Sequence, residues 1–227
     1  LPGYLGFSIL AAAQDGSIGA SSSSQPDGVA AASYYAPAPA DPSIESNNED
    51  LLLSDTRQLI EGSLRSGEGY FSADGDRFIY QSETVGDNPF YQIYVLNLTD
   101  GSSQKVSPGI GLTTCSWIHP TLDMVMFSST HEDPDARGKQ AEEISIRESG
   151  ISRPYGWDYD RHYDIYQADS NGNNLVNLTS TDGYDAEGSY SADGSQILFA
   201  SNREAYQRNL SQAEQKLFDD DASYFMD

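Results

Sequence analysis

The sequence predicts an all-β protein that is built from repeated units of four short antiparallel strands. The first observation is an internal repeat: residues 69–75 read Gly-Tyr-Phe-Ser-Ala-Asp-Gly, and residues 188–194 read Gly-Ser-Tyr-Ser-Ala-Asp-Gly. The second is a degraded copy between them, in which residues 117–123 precede the apolar run 124–129. Units of this kind bury their apolar faces only against their neighbours, so the repeat determines the architecture.

The strands of each unit follow one another in a fixed order. The repeated turn leads into about six β-favouring residues, and after a loop residues 92–98 alternate as a second hairpin begins. Asp100-Gly101 and Asn171-Gly172 then supply tight turns, because both pairs tolerate positive φ angles. A short last strand follows each turn. The pattern therefore predicts four antiparallel strands per unit.

Four-stranded units of roughly 40 to 50 residues favour a β-propeller, and a flat sandwich of the same strands is the alternative. Propellers close with about four to eight blades, whereas this sequence supplies two whole units, the end of one before them and the opening of one after. We therefore expect an incomplete propeller: a fragment, a processed form, or a chain whose ring another component completes. A protein partner or additional subunit is expected to pair with strand edges near residues 56–60 and 219–227.

At these turns the chain resembles the TolB-like family of β-propellers, whose PD40 (WD40-like) blades carry an aromatic-Ser-Pro-Asp-Gly turn and a strand that ends in Leu-Thr. Ala73 and Ala192 replace the proline here, and residues 177–179 keep the Asn-Leu-Thr ending. The resemblance covers about residues 56–227 and implies propeller blades over residues 51–227. It implies little about function, because one fold hosts many functions.

Residues 1–50 have a different composition, with a serine run, an alanine run and an alternating Ala-Pro segment that cannot bury a core. This composition predicts a linker. Residues 4–13 have the apolar length of a signal-peptide core and are too short to span a bilayer. They are interpreted as a signal or anchor remnant, through which peripheral membrane association is possible, or as a buried apolar segment. The first interpretation places the protein in the periplasm or outside the cell.

The charge balance limits the classes of partner. The chain has 35 acidic and 12 basic residues and a formal net charge of -23 at pH 7. Nucleic acids and anionic membrane surfaces are therefore poor partners on electrostatic grounds, and no nucleic-acid partner is expected, whereas cationic groups are favoured. An acidic excess is also typical of proteins from saline habitats, where no ligand is needed to explain it. The single Cys115 excludes an internal disulfide.

No catalytic residues, metal site or cofactor are predicted. The three histidines and one cysteine lack metal-binding spacing, and neither a nucleophile elbow nor a phosphate loop is present. A bound cation such as calcium is compatible with the composition but is indicated by no motif. Residues 74–76 read Asp-Gly-Asp, yet their counterpart 193–195 lacks the last carboxylate, which favours a β-turn over a calcium site.

The first candidate site lies at the residues that precede each predicted inner strand, namely Glu68, Cys115 and Glu187. In a propeller these positions lie near the mouth of the central channel. Glu68 and Glu187 are therefore expected to converge on one face, where they would bind a cation or a basic peptide group. The alternative is that both glutamates cap backbone amides or face water.

The second candidate site is an insertion at about residues 131–162. Successive inner strands are 47 and then 72 residues apart, so about 25 extra residues enter the middle unit. Residues 131–150 are charged and compatible with a helix, and residues 155–163 interleave aromatic and charged side chains. We take Tyr155, Trp157, Tyr159 and His162 as a peptide or carbohydrate surface. A local mini-core is the alternative.

These features predict an exported, non-catalytic protein-interaction or scaffold module. The alternative function is the gating or substrate-selecting propeller of a larger hydrolase, whose catalytic domain would lie outside this sequence. An α/β domain with a nucleophile elbow in the same polypeptide would favour the hydrolase, and further blades would favour the interaction module.

Overall fold

The computed structural model describes residues 57–86, 88–151 and 158–226. The strands in these ranges are β1 (Arg65–Phe71), β2 (Arg77–Glu83), β3 (Gln92–Asn97), β4 (Ser103–Lys105), β5 (Thr113–Ile118), β6 (Met124–Ser129), β7 (Asp164–Asp169), β8 (Val176–Asn177), β9 (Asp185–Tyr190) and β10 (Ile197–Ser201). The helices are α1 (Ala136–Glu148), α2 (Glu204–Gln207) and α3 (Gln212–Asp220). The predicted N-terminal segment and linker, residues 1–50, lie outside the described residues.

The strands form three antiparallel sheets, which we call blades 1, 2 and 3. Blade 1 has the order β1-β2-β3-β4, blade 2 the order β5-β6-β7-β8, and blade 3 pairs β9 with β10. This arrangement confirms the prediction of four-stranded antiparallel blades in an incomplete propeller. The sequence analysis expected a strand edge near residues 219–227, but the described part of that range forms no strand. Helix α3 runs to Asp220, and a capping box between Ser211 and Glu214 starts that helix.

The blades stack face to face. The inner strand β5 of blade 2 packs across β1, β2 and β3, and the inner strand β9 of blade 3 packs across β5, β6 and β7. The main apolar core lies between blades 1 and 2 and contains Ile79, Ile93, Val95, Val106, Ile118, Val125, Phe127, Tyr166 and Ala168. Burial of these side chains is the dominant stabilising contribution.

One position on the second strand of each blade faces the following blade. Ile79 in blade 1 is fully buried against blade 2, and Met126 in blade 2 is fully buried beside Tyr190 of blade 3. The equivalent side chain of blade 3 is Leu198, which is 78% exposed. We call the surface around Leu198 the forward face of blade 3. In the described part of the chain, the corresponding faces of blades 1 and 2 are buried by the next blade, whereas this face is exposed.

The opposite face of blade 1 is covered by the chain that precedes β1. Leu59 and Ile60 pack against the buried aromatic rings of Phe78 and Tyr80. The sequence predicted that a strand of a preceding blade ends at residue 60, but residues 57–60 form no strand. Their apolar side chains cover the face of the sheet instead of pairing with its edge.

The repeated turns confirm the turn interpretation of the Asp-Gly motifs. Ser72 Oγ donates to Asp74 Oδ1 over 2.5 Å, and the backbone N–H of Asp76 donates to the same oxygen over 3.1 Å. These bonds lower the pKa of Asp74, and the corresponding bonds from Ser191 and Ser195 lower that of Asp193 to about 2. The carboxylates therefore hold local turns.

The degraded turn of blade 2 uses an imidazole where the other turns use a serine. His119 Nδ1 accepts hydrogen bonds from the backbone N–H groups of Thr121 and Leu122 over 3.1 and 3.0 Å. An Nδ1 that accepts leaves the proton on Nε2, which lies 3.2 Å from the carbonyl oxygen of Gly194 in blade 3. The substitution thus adds a hydrogen bond between blades.

The insertion forms helix α1, as its composition predicted, and this helix ties blade 1 to blade 2. Arg147 Nη1 pairs with the buried carboxylate of Glu83 at the end of β2, and its Nη2 donates to the carbonyl oxygen of Pro89 over 2.7 Å. At the other end of the helix, Gln140 Oε1 accepts from the N–H of Gly111 over 3.1 Å. In the part of the chain described, no helix combines the length and apolarity that a membrane span requires.

Candidate functional site

Each inner strand contains a β-bulge at the same register position. The pairing of β1 with β2 shifts around Glu68, that of β5 with β6 around Cys115, and that of β9 with β10 around Glu187. The three residues have φ angles of 38°, 51° and 58°, which are uncommon for residues other than glycine. Such outliers cluster at functional sites. We call Glu68, Cys115 and Glu187 the bulge triad.

The triad residues lie inside the inner strands, whereas the sequence placed them just before these strands. The strands begin earlier because Arg65, Thr113 and Asp185 already pair with the second strand of their blades. The bulge adds one unpaired residue to each inner strand and thereby redirects a side chain that regular pairing would orient otherwise.

The structure places the three triad residues near one another. Cys115 Sγ lies 3.8 Å from Glu68 Oε2, and the thiol also has a hydrogen bond with the backbone of Glu187. Tyr70, on the same inner strand as Glu68, donates from its hydroxyl to Glu68 Oε1 over 3.3 Å. Its ring lies 4.1 Å from that of Trp117, the equivalent residue of blade 2. The phenol of Tyr70, the carboxylate of Glu68 and the thiol of Cys115 are therefore in contact, and the charge of Glu187 on the third blade lies close enough to affect Glu68.

The surroundings of the triad disfavour negative charge. Burial raises the pKa of Glu68, even though the residue keeps contact with solvent, and the nearby carboxylate of Glu187 raises it further. Burial and the charge of Glu68 raise the pKa of Tyr70 to about 12 and that of Cys115 well above its usual range. The thiol is therefore protonated at neutral pH, and a cation at this point would relieve the repulsion between the glutamates.

The predicted aromatic surface of the insertion is only partly within the described residues. Tyr155 and Trp157 lie outside them. Tyr159 stacks on Tyr184 with ring centroids 5.7 Å apart, and its hydroxyl lies 2.8 Å from that of Tyr206 and accepts from Asn202 Nδ2 over 2.7 Å. The hydroxyl thus takes part in internal packing, which corresponds to the mini-core alternative for this residue.

His162 belongs to a cluster that the sequence did not indicate. Its Nδ1 lies 3.1 Å from Asp160 Oδ1 and 3.7 Å from Asp133 Oδ1. Lys139, from the first turns of α1, places Nζ 2.8 Å from Asp133 Oδ2 and 2.5 Å from Asp160 Oδ2. We call Asp133, Asp160, His162 and Lys139 the insertion cluster. It joins the two ends of the insertion at the base of α1.

The electrostatics of the insertion cluster favour charged carboxylates. Burial alone would raise the pKa of Asp133, but the contact with the Lys139 ammonium, the hydrogen bond from the Asp135 backbone and the nearby positive groups lower it. Burial alone would lower the pKa of Lys139, and the two aspartates raise it instead. An open pocket of about 460 Å³ adjoins the cluster, and its lining includes Phe90, Leu112, Lys139, Tyr159, Asp160 and Arg161.

The triad and the insertion cluster lie toward the same end of the blades. Tyr163 is buried, and its pKa is raised mainly by that burial and further by nearby acidic groups that include Asp160. Asp133, Asp160 and Lys139 were missed by the sequence analysis, since 27 residues separate the two aspartates and no repeat marks them.

Comparison with known proteins identifies structural similarity to TolB. No protein-family model matches the chain, and no curated protein does so. A structure of putative TolB from Agrobacterium tumefaciens is similar at 17% identity and a TM-score of 0.45, over 63% of this chain and 40% of that one. TolB from Acinetobacter baumannii is similar at 19% identity and a TM-score of 0.40, over 58% of this chain and 25% of that one. The chain spans less than half the length of either protein, and both carry the name of the family that its turns resemble.

Proposed function

We propose that the protein is an exported, non-catalytic interaction module that binds a cationic group of a protein partner at the bulge triad. The observation that carries this proposal is the convergence of Glu68 and Glu187 around Cys115, on three blades whose bulges share one register. A lysine ammonium or arginine guanidinium would pair with both carboxylates, which are exposed to solvent and accessible to a partner.

A non-catalytic role agrees with the chemistry of the triad. Nucleophilic cysteines have a lowered pKa, whereas burial and the neighbouring glutamates raise that of Cys115. The acidic composition supports a basic protein surface as the partner, in preference to nucleic acid or an anionic membrane. Export to the periplasm or outside the cell rests on the apolar segment at residues 4–13.

A second contact completes the proposal. The forward face of blade 3 exposes Leu198 at the position where Ile79 and Met126 are buried by the next blade. We assign this face to contact with a further blade of the same kind. Leu198 is an apolar side chain, as are Ile79 and Met126 at the two equivalent buried positions. The triad would then lie at the mouth of a larger ring of blades.

A matched pair of double variants tests cation binding at the triad. The probe is a fluorescein-labelled peptide of alternating lysine and serine, and its anisotropy is measured against the full chain. We expect E68Q/E187Q to weaken binding by about fivefold or more, the effect of about 1 kcal/mol. The control E61Q/D76N removes two exposed carboxylates elsewhere and is expected to change affinity by less than about twofold.

The two variants lose the same net charge, so the comparison separates a site from general attraction to an acidic surface. Equal weakening by both variants would refute the triad as the binding site. Binding to the unaltered chain should also weaken as the pH falls through the raised pKa of Glu68, because the protonated carboxyl no longer attracts the cation.

A further inference from the structure

The insertion cluster has the composition of a metal site. Asp133, Asp160 and His162 each offer one ligand atom, and these atoms all lie within 4.8 Å of one another. His162 Nδ1 lies 3.1 Å from Asp160 Oδ1 and 3.7 Å from Asp133 Oδ1. Two ligand atoms of a tetrahedral zinc ion with bonds near 2.0 Å are roughly 3.3 Å apart, which lies between these two distances. Little movement would therefore bring these atoms into one coordination sphere.

Two of the ligands are already held in position. The N–H of Asp135 donates to Asp133 Oδ1 over 2.9 Å, and the N–H of His162 donates to Asp160 Oδ1 over 3.0 Å. The Asp133 side chain is only 2% exposed. Bonds of this kind orient metal ligands and are part of a preorganised site.

One buried oxygen of the cluster depends on Lys139 for its partner. Asp133 Oδ2 is buried and has no other polar partner among the described residues, and Lys139 Nζ forms an ion pair with it at 2.8 Å. A buried carboxylate that loses its positive partner is strongly destabilising, so a bound metal ion would take over the charge compensation that the ammonium group supplies.

The ammonium group of Lys139 occupies the position that a bound metal ion would take. This group lies against both carboxylates, at 2.8 and 2.5 Å, so the cluster in this state is neutralised by a side chain. The side chain is one-third exposed, at 33%, and lines the adjoining pocket of about 460 Å³. Its flexible four-carbon stem allows the ammonium to withdraw into that pocket.

We propose that Asp133, Asp160 and His162 bind a divalent transition-metal ion, zinc in particular, in competition with the ammonium group of Lys139. The mixed carboxylate and imidazole donors favour zinc over calcium and magnesium, which prefer oxygen ligands alone. Three protein ligands leave one tetrahedral position open toward the pocket, where water or a ligand group of a partner would complete the coordination. Metal binding would thus release Lys139 and fasten the two ends of the insertion to each other.

Calorimetric titration of the chelator-treated full chain with ZnCl₂ tests this site, in millimolar CaCl₂ to occupy weak surface carboxylates. We expect one zinc ion per chain. His162→Ala and Asp160→Asn should each weaken binding by about tenfold or more, and Lys139→Met should strengthen it by about tenfold, because the competing charge is gone. If Lys139→Met does not bind zinc more tightly, the proposed competition with Lys139 is wrong. If His162→Ala binds zinc as tightly as the unaltered chain, the proposed site is wrong.

Two controls distinguish this site from other places where zinc could bind. Cys115→Ser removes the thiol of the triad, and His131→Ala removes another half-buried imidazole, so both should leave zinc affinity unchanged. Cobalt provides a second measurement, since tetrahedral Co²⁺ absorbs strongly in the visible range and indicates four-coordinate geometry in the unaltered chain. Loss of that absorption in Cys115→Ser, or its persistence in His162→Ala, would place the metal elsewhere and refute the proposal.

Discussion

At the scale of single residues, the bulge triad relates backbone shape to charge. Glu68, Cys115 and Glu187 share left-handed φ angles, and burial, with a smaller contribution from the nearby Glu187 carboxylate, raises the pKa of Glu68. A raised carboxyl pKa means that folding favours the protonated form. Ionisation of Glu68 is therefore unfavourable for the folded protein, as is common where burial raises the pKa of a carboxyl.

Glu68→Gln should stabilise the protein at pH 7 and leave its stability nearly unchanged at pH 4. Stability from a carboxyl with a raised pKa is present below the unfolded pKa, near 4.5, and is lost as the pH rises through the folded pKa. Glutamine cannot ionise and avoids that loss. We expect a gain of about 0.5 kcal/mol at pH 7, limited by solvent screening, in urea unfolding at both pH values.

The control for this prediction is Glu61→Gln, at an exposed position before β1. It removes one negative charge from the same acidic chain without altering the triad. A larger gain in the control than in Glu68→Gln would indicate that net charge, and not the local repulsion, governs the effect.

At the scale of elements, the repeated turn has the same backbone conformation in blades 1 and 3 but different neighbouring residues. Gly75 and Gly194 occupy the same turn position with φ angles of 79° and 74°. A β-carbon at Gly75 would meet nothing within 4 Å, whereas one at Gly194 would lie 2.2 Å from the His119 ring of the neighbouring blade. The same substitution therefore separates backbone strain from packing between blades.

Gly75→Ala should lower the free energy of unfolding by about 1 kcal/mol, through the left-handed backbone alone. Gly194→Ala should lower it by a further 1 to 3 kcal/mol or so, because the added methyl displaces the His119 ring and its bond to the Gly194 carbonyl. Urea unfolding of both variants gives the comparison. Equal losses would mean that His119 contributes nothing between the blades.

The elements also show how much of the fold and of the candidate site could be predicted from the sequence. The turn repeat predicted the blades, and its spacing placed Glu68 and Glu187 together. The insertion cluster escaped prediction because its aspartates and histidine come from a segment without a repeat, where only tertiary packing of α1 determines which side chains meet. Helix α3 was missed despite the Ser211 and Glu214 capping signal, since the repeat favoured a strand in that region.

At the scale of the whole molecule, stability comes from contacts between successive blades. Each blade buries its forward position only where a following blade covers it, which holds for Ile79 and Met126 but not for Leu198. Stability in such stacks is approximately a sum over neighbouring units. The same chemical change should then have different effects at equivalent positions of the three blades.

Truncation at the three forward positions tests this. Ile79→Ala and Met126→Ala should each lower the free energy of unfolding by about 2 to 5 kcal/mol, because both side chains are fully buried. Leu198→Ala should change it by about 0.5 kcal/mol or less in the isolated chain, where the side chain is 78% exposed. A loss of 2 kcal/mol or so at Leu198 would instead indicate that another blade already covers it in solution.

The shared bulge has a consequence for how such chains diverge. Because the blade, and not the residue at its centre, sets the bend of the inner strand, Glu68 and Cys115 occupy the same backbone shape with unlike side chains. Each blade thus contributes one bulge residue to the triad, and that residue is not the same in every blade, although the left-handed backbone is. If the triad binds as proposed, substitution of a bulge residue would change the accepted ligand while the surrounding sheets stay as they are. Repeated blades could then acquire new binding preferences without a change of fold.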